Sequence, residues 1–276
     1  MALTDKLTAI ADAIRAKTGT TGTMMLAEMP EKIAAIQTGG GGTSQIDSLI
    51  DRTITEISSN SVTSIGARAF QNCSILNTAN FPAVTSIGSH AFDSCSKLTT
   101  VNFPVTTSIS DYAFSTCTEL TTADFPVVTS IDTYAFYSCY KLTTVNFPLA
   151  TSIGIDAFYG CSQLTTVNFP VVTSIGEYAF QNCTRLTTAD FPLATSIGKN
   201  AFYMCRPLKA LILRSETMAT LDNTNAFSNT TIKSGTGYIY VPAVLVDSYK
   251  TATNWSVYAN QIRAIEDYPD ITGSAA

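Results

Sequence analysis

A 22-residue period runs through most of the chain and restricts its fold more than any other feature. In every period one cysteine, one phenylalanine and one isoleucine return at the same place. A constant period of this length is typical of a solenoid, in which each unit buries its apolar face against its neighbours. The recurring positions are Cys73, Cys95, Cys117, Cys139, Cys161, Cys183 and Cys205; Phe70, Phe92, Phe114, Phe136, Phe158, Phe180 and Phe202; and Ile65, Ile87, Ile109, Ile131, Ile153, Ile175 and Ile197.

Each unit contains a strand pattern. Leu98, Val101 and Phe103 form an L-x-x-V-x-F run, in which apolar residues alternate with polar ones as in a half-buried strand. Pro104 follows the run and ends the strand, because proline has no backbone N–H to donate to a neighbour. The pattern therefore predicts one short parallel strand per repeat.

A second part of each unit has a different spacing. A short apolar segment lies at 108–109, and apolar residues then follow in steps of three from Phe114 to Leu120. This spacing favours a short helical or 3-10 turn with one face directed inward. Together the two parts predict an α/β solenoid of 22-residue repeats, with short parallel strands and short helical turns.

The unit TSIGxxAFxxCxxLTTVNFP resembles the BspA-type leucine-rich repeat, a subclass of bacterial surface proteins, over about residues 54–227. Ser110 and Asp132 replace the glycine that most repeats carry at that place. The resemblance implies a solenoid that binds or adheres rather than an enzyme.

The cysteine column predicts a ladder of small buried side chains, since free cysteine is among the most buried residue types. Disulfides are the first alternative, but the Cβ vectors of stacked neighbours run parallel rather than converge. Seven is also an odd number, so one cysteine would stay unpaired. Zinc is the second alternative, and the chain has neither C-x-x-C spacing nor a histidine partner for it.

The two ends of the chain differ from the repeats. Residues 1–37 predict a helical docking or oligomerisation head, because Leu3, Leu7, Ile10 and Ile14 form a seam of the coiled-coil type; a disordered leader is the alternative. Residues 38–44 are a glycine-rich linker, 45–236 the solenoid, and 237–276 a C-terminal cap with a final strand and helices. Within the cap, 245–265 is predicted as helical, with Trp255 closing the open end of the core.

The head also resembles the N-termini of tail-associated proteins of phages and prophages from gut Firmicutes, on the segments ALTDKLTAIADAIRAKTG and EMPEKIAAI. This implies attachment to other tail proteins, a homo-oligomer, and a place in the virion tail after synthesis in the host cytoplasm. The first residues lack the basic start and apolar run of a secretion signal, and no transmembrane stretch is visible.

Composition argues against several other functions. The net charge is −5 and no basic stripe is present, so neither nucleic acid nor membrane insertion is expected. His90 is the only histidine, and no catalytic partner can be identified for it. We expect no cofactor, no metal site and no catalytic residue. A hydrolase acting on surface glycans is the enzymatic alternative, but it lacks a recognisable carboxylate pair.

The variable positions carry the functional prediction. Tyrosine on a constant scaffold provides contact area at low entropic cost, as in paratopes, although the same rings could simply cover apolar turns. We expect these tyrosines to bind a cell-surface protein or glycan, with the nearly uniform Thr/Asn strand face as the rival surface. The predicted ligand-binding residues are Tyr112, Tyr134, Tyr137, Tyr140, Tyr159, Tyr178 and Tyr203.

The sequence thus predicts a non-enzymatic receptor-binding protein of a phage tail. The alternatives are a bacterial BspA-like surface adhesin and a purely structural tail component.

Overall fold

A computed structural model describes residues 55–60 and 62–271. These form a solenoid in which each turn of the chain has one long strand, one short strand and a connecting segment. The long strands are β1 (Glu56–Ser58), β3 (Thr78–Asn80), β5 (Thr100–Asn102), β7 (Thr122–Asp124), β9 (Thr144–Asn146), β11 (Thr166–Asn168), β13 (Thr188–Asp190) and β15 (Ala210–Ile212). The short strands are β2 (Ser64–Ile65), β4 (Ser86–Ile87), β6 (Ser108–Ile109), β8 (Ser130–Ile131), β10 (Ser152–Ile153), β12 (Ser174–Ile175), β14 (Ser196–Ile197) and β16 (Thr220–Leu221).

Strands of neighbouring repeats pair in parallel and in register. Ser152 lies beside Ser174 and Ile153 beside Ile175, so every column of the sequence becomes a column in space. The short strands make one continuous sheet of eight. The long strands make three groups instead, β1-β3-β5, β7-β9 and a group that begins β11-β13-β15. The predicted parallel solenoid is confirmed.

Phenylalanine rings form the centre of the core. Phe92 and Phe114 are stacked with centroids 5.2 Å apart, and the pattern continues through the repeats. A second column, which includes Phe103 and Phe125, stacks at 6.1 Å and meets the first column at its edges. Such offset and edge contacts stabilise aromatic pairs beyond the burial of their area.

The cysteine column lies in this core as predicted, and all seven side chains are buried thiols. Most of them also have a partner that the sequence did not indicate. The Cys139 thiol donates to the carbonyl of Phe114 in the preceding repeat at 3.1 Å, and the same bond recurs for five other cysteines at 2.9–3.3 Å. The column therefore links successive repeats as well as filling space.

The segment after each short strand is a chain of tight turns, so the prediction of helical or 3-10 turns was wrong. Ala113 N–H donates to Ser110 C=O within its repeat at 3.1 Å, whereas the next N–H, that of Phe114, donates to Ala135 in the following repeat at 2.8 Å. Two residues per repeat have positive φ, and Tyr112 is one of them with φ 59°. A helix needs negative φ at every residue and hydrogen bonds within the segment. The positive φ values and the bonds to the next repeat therefore exclude a helix here.

The C-terminal segment is more varied than predicted. Its elements are α1 (Thr231–Ser234), β17 (Tyr238–Val241), a 3-10 turn (Ala243–Leu245), α2 (Val246–Thr251), a 3-10 helix (Ser256–Gln261), β18 (Ile262–Ala264) and 3-10 turns at Ile265–Asp267 and Pro269–Ile271. The predicted helix over 245–265 is thus a short helix, a 3-10 helix and a strand. The predicted final strand is present as β17, and β18 is a second strand inside the segment predicted as helical; the two extend the long-strand sheet in the order β15-β17-β18.

Side chains from this segment close the end of the short-strand sheet. Trp255 Nε1 donates to the carbonyl of Ala219 at 2.8 Å, and the Tyr249 hydroxyl accepts from the N–H of the same residue at 2.8 Å. Asn254 donates to the carbonyl of Leu221 in β16 at 2.7 Å. These bonds satisfy backbone groups at the exposed edge of the sheet, where another chain could otherwise pair.

The head predicted for residues 1–37, with Leu3, Leu7, Ile10 and Ile14, and the linker predicted for 38–44 lie outside the described residues. Within the part of the chain that is described, no helix has the length and apolar composition needed to span a bilayer.

Candidate functional site

The predicted binding tyrosines lie on the turn side of the solenoid. Tyr112, Tyr134 and Tyr178 occupy the first left-handed position of their repeats, with φ of 59°, 58° and 56°. Tyr137, Tyr159 and Tyr203 lie three residues further along their own turns. All six are partly buried, whereas Tyr140 is 50% exposed.

Four of these tyrosines come together as a patch, formed by Tyr112, Tyr134, Tyr137 and Tyr159. The rings of Tyr112 and Tyr134 stack at 4.4 Å, and His90 extends this stack by 4.6 Å beyond Tyr112. Tyr134 meets Tyr137 edge-on at 5.4 Å, and Tyr137 stacks on Tyr159 at 4.8 Å. The patch therefore joins two columns and three successive repeats into one aromatic surface, and His90 extends it into a fourth repeat.

The other predicted tyrosines lie apart from this ring network. Tyr178 has the Lys199 ammonium 6.0 Å from its ring centroid. Tyr203 lines an open depression of about 540 Å³ together with Arg206 and Asn229, near the end of the repeats. The structure thus separates the seven predicted residues into a central patch, an exposed neighbour and two outlying positions.

Backbone conformation at the first position is set by the scaffold. Arg68, His90, Asp156 and Asn200 have positive φ there just as the tyrosines do. Glycine and asparagine adopt this conformation readily, whereas a bulky residue is strained by about 1–3 kcal/mol. Tyrosine at this position is therefore not explained by the needs of the turn, and such strain is frequent at functional sites.

Hydrogen bonds and burial fix the orientation of the patch. The pKa of Tyr134 is raised to about 12, mainly by burial and then by the charge of Asp156 and by their hydrogen bond. Burial also raises the pKa of Asp156, against the stabilising bond from Tyr134. On the other column, Asn182 donates to the Tyr159 hydroxyl at 3.0 Å. The rings are held in place before any ligand arrives.

The strand face, named above as the rival surface, carries a ladder of polar side chains that bond each other. Asn102 donates to Asn80 at 2.7 Å, and Asn146 donates to Asp124 at 2.8 Å. Asp190, at the far end, pairs with Arg214. These side chains largely satisfy one another, and the face presents nearly the same residues in every repeat.

The surroundings of His90 do not form a catalytic triad. Its Nδ1 lies 3.1 Å from Asp93, while the Ser94 hydroxyl bonds the same carboxylate at 3.2 Å rather than the imidazole. A serine nucleophile needs the histidine as its proton acceptor, so the order of contacts is unsuitable. In the described part of the chain, no group of three or more His, Cys, Asp or Glu residues is placed to hold a metal ion.

The repeat family was established by comparison with family models. The model for the BspA type leucine-rich repeat region matches residues 50–150 and 129–241 in six copies. The chain belongs to this family. Its BspA-type repeats account for the recurring strands and turns. No curated protein sequence matches the chain.

Solved structures with similar folds include a leucine rich cell surface protein from Faecalibacterium prausnitzii, 22% identical over 76% of this chain and 78% of that one, with a TM-score of 0.38. A leucine-rich repeat protein from Bacteroides ovatus is 27% identical over 66% of this chain, with a TM-score of 0.43. This chain spans only 47% of that protein. The pneumococcal vaccine antigen PcpA is 15% identical over 76% of this chain and 66% of that one, with a TM-score of 0.44.

Proposed function

We propose that the chain is a non-enzymatic recognition protein, which binds a protein or glycan of a bacterial cell surface through its tyrosine patch. One observation carries the proposal: tyrosines from neighbouring repeats stack on each other, and two of them, Tyr112 and Tyr134, do so at backbone positions where tyrosine is strained. Rigid aromatic side chains lose little conformational entropy on binding and dominate many protein interfaces.

Membership in the BspA-type family supports a binding or adhesion role in general. The differences between repeats support the choice of surface. A ligand with a specific shape needs local differences, and the patch has them, because its positions carry His, Tyr, Asp or Gln in different repeats. The strand face changes little and suits a repetitive polymer better.

The setting that we propose is a phage or prophage tail, with the protein incorporated into the virion. Its support is the resemblance of residues 1–37 to tail-associated proteins. In this arrangement the head joins a homo-oligomer to other tail proteins and the solenoid extends towards the cell. Mass spectrometry of purified virions tests the setting, since a protein absent from virions and present on the bacterial envelope would instead be a surface adhesin.

Truncating the patch is expected to weaken cell binding strongly. In the double variant Tyr134→Ala, Tyr137→Ala, two stacked rings are lost, and aromatic hot spots typically contribute about 2 kcal/mol or more each. We therefore expect binding of labelled protein to intact bacteria to weaken by at least about 30-fold. Flow cytometry over a concentration series measures the change.

The matched control for this experiment is Thr144→Ala, Asn146→Ala, which alters the strand face of the same repeats. Both variants should keep the thermal unfolding of the parent protein to within a few degrees. Loss of binding only in the strand-face variant would move the site to that surface. Unchanged binding in both variants would contradict recognition by either face.

Deleting residues 1–42 tests the role proposed for the head. The solenoid units contact only their neighbours, so we expect the truncated chain to stay folded and to become monomeric. Light scattering gives the mass, and circular dichroism follows the fold. An unchanged oligomer mass, or an unfolded product, would show that the division between head and solenoid is wrong.

A further inference from the structure

The aromatic column at the first turn position is interrupted at one place. His90, Tyr112 and Tyr134 stack face to face in successive repeats at 4.6 and 4.4 Å. The next repeat has Asp156 at this position and the one after it has Tyr178, so a ring is missing between two tyrosines. Asp156 follows the same backbone, with φ 53°. The interruption is therefore a change of side chain alone.

The size of the gap follows from the repeat spacing. Stacked repeats are about 4.8 Å apart, so two steps separate the positions of Tyr134 and Tyr178 by roughly 9.6 Å. A planar group in van der Waals contact with both rings needs about 7–8 Å. Rings that keep the geometry of the Tyr112–Tyr134 stack would leave room for one flat group between Tyr134 and Tyr178, with its plane continuing the stack.

The charge at the base of the gap is negative. Asp156 is 8% exposed and bonds with the Tyr134 hydroxyl, while Glu177, on the neighbouring turn, is exposed and adds a second carboxylate. The ion pairs among the described residues do not include Asp156 or Glu177. The Tyr178 ring already has a cation near it, the ammonium of Lys199 in the following repeat.

We propose that the gap between Tyr134 and Tyr178, with Asp156 at its base, receives the guanidinium group of an arginine on a protein partner. The inference rests on the proposed recognition function and narrows its ligand to a protein. Guanidinium is flat, stacks on aromatic faces and pairs with carboxylates, whereas an ammonium group lacks the planar shape. A neutral glycan would leave the carboxylate without an opposite charge.

The test uses the full chain and three capped tripeptides, acetyl-Gly-Arg-Gly amide and its citrulline and lysine analogues. Citrulline keeps the planar shape and removes the charge. We expect ligand-observed NMR to show the arginine peptide binding about tenfold more tightly than either analogue, since a charged hydrogen bond is lost or misplaced in them.

Two substitutions of Asp156 and one control substitution locate the site. Asp156→Asn is close in shape and tolerates positive φ, so it should keep the fold and weaken arginine-peptide binding by about tenfold. Asp111→Asn is the matched control, because it removes an exposed carboxylate on the same side of the solenoid and should leave binding unchanged. Asp156→Tyr should complete the stack and exclude the peptide.

Equal binding of the arginine and citrulline peptides, or full binding by Asp156→Asn, would overturn the inference. Measuring cell binding by the same variants distinguishes failure of the arginine slot from failure of the proposed recognition function. If Asp156→Asn binds cells normally while Tyr134→Ala, Tyr137→Ala does not, the arginine slot is refuted and the recognition function stands. If the tyrosine variant also binds cells normally, the recognition function itself has failed.

Discussion

None of the seven cysteines is expected to react with a thiol reagent in the folded protein, and all seven are expected to react once it is denatured without reductant. Their side chains are at most 1% exposed. Burial raises the pKa of the Cys117 and Cys161 thiols well above the usual value, so little reactive thiolate forms. Reaction then requires unfolding, and a stability of about 5 kcal/mol slows it by more than about a thousandfold.

Quantitative labelling with a chromogenic disulfide reagent, before and after denaturation, measures this prediction. Thr166→Cys provides the control, because this exposed position on the strand face should add one thiol that reacts at the rate of a free peptide. Raising the pH to about 9 should not release the Cys117 and Cys161 thiols, since burial holds their pKa well above the usual value while the fold persists. Several fast native thiols, or fewer than seven after denaturation, would contradict a core of reduced cysteines.

The periodic part of the fold was predictable because the sequence repeats at the scale of one structural unit. Positions such as Phe114, Cys117 and Leu120 recur without shift, and parallel in-register pairing places each column in the core. The same regularity misled the prediction for the turns. An F-x-x-C-x-x-L spacing directs side chains inward both in a 3-10 helix and in a chain of tight turns, so periodicity alone does not separate them.

A weaker signal for the turns was present. Gly160, Asn182 and Asp156 occupy left-handed positions, and these residue types adopt positive φ more readily than others. The signal is obscured because Tyr134 and Thr116 occupy equivalent positions in other repeats.

The grouping of the long strands into three sheets had no signal in the sequence. β5, β9 and β11 share the sequence TVN, yet a break follows β5 and β9 and none follows β11.

The tyrosine patch was predictable as a set of positions but not as a surface. The 22-residue spacing places Tyr112 beside Tyr134 and Tyr137 beside Tyr159 in neighbouring repeats. It does not give the edge contact between Tyr134 and Tyr137, which joins the two columns, because that contact depends on side-chain direction at a left-handed residue. The interruption at Asp156, by contrast, can be seen in the sequence, because Asp156 stands between Tyr134 and Tyr178 at the same position of the repeat.

The presence of a C-terminal cap was predicted from the residue types of the last segment. How the cap closes the sheet depends on individual hydrogen bonds, which the sequence did not indicate. The 22-residue period ends at the last repeat, so it does not predict which residues Tyr249, Asn254 or Trp255 contact. What these residues do is supply the donors and acceptors that another strand would have supplied to β16. A solenoid that ends without such groups exposes both an apolar core and an open sheet edge.

Replacing Trp255 by alanine is accordingly expected to destabilise the C-terminal repeats by about 3–5 kcal/mol. The side chain is 1% exposed, packs edge-on against Tyr249 at 5.0 Å and lies 6.2 Å from the ring of Phe227. Its removal leaves a cavity and an unsatisfied carbonyl at Ala219. Hydrogen exchange followed by mass spectrometry should show lost protection in β14 and β16 and unchanged protection in β4 and β6.

The conservative variant Trp255→Phe separates packing from hydrogen bonding at the cap. It keeps an aromatic ring and loses the Nε1 donor, so we expect a smaller cost of about 1–3 kcal/mol with the same regional pattern. The loss of exchange protection should stay local because each repeat is stabilised mainly by the two repeats beside it. If exchange increased equally in β4 and β14, the repeats would unfold as one cooperative unit. If Trp255→Ala changed protection nowhere, the capping role of this residue would be refuted.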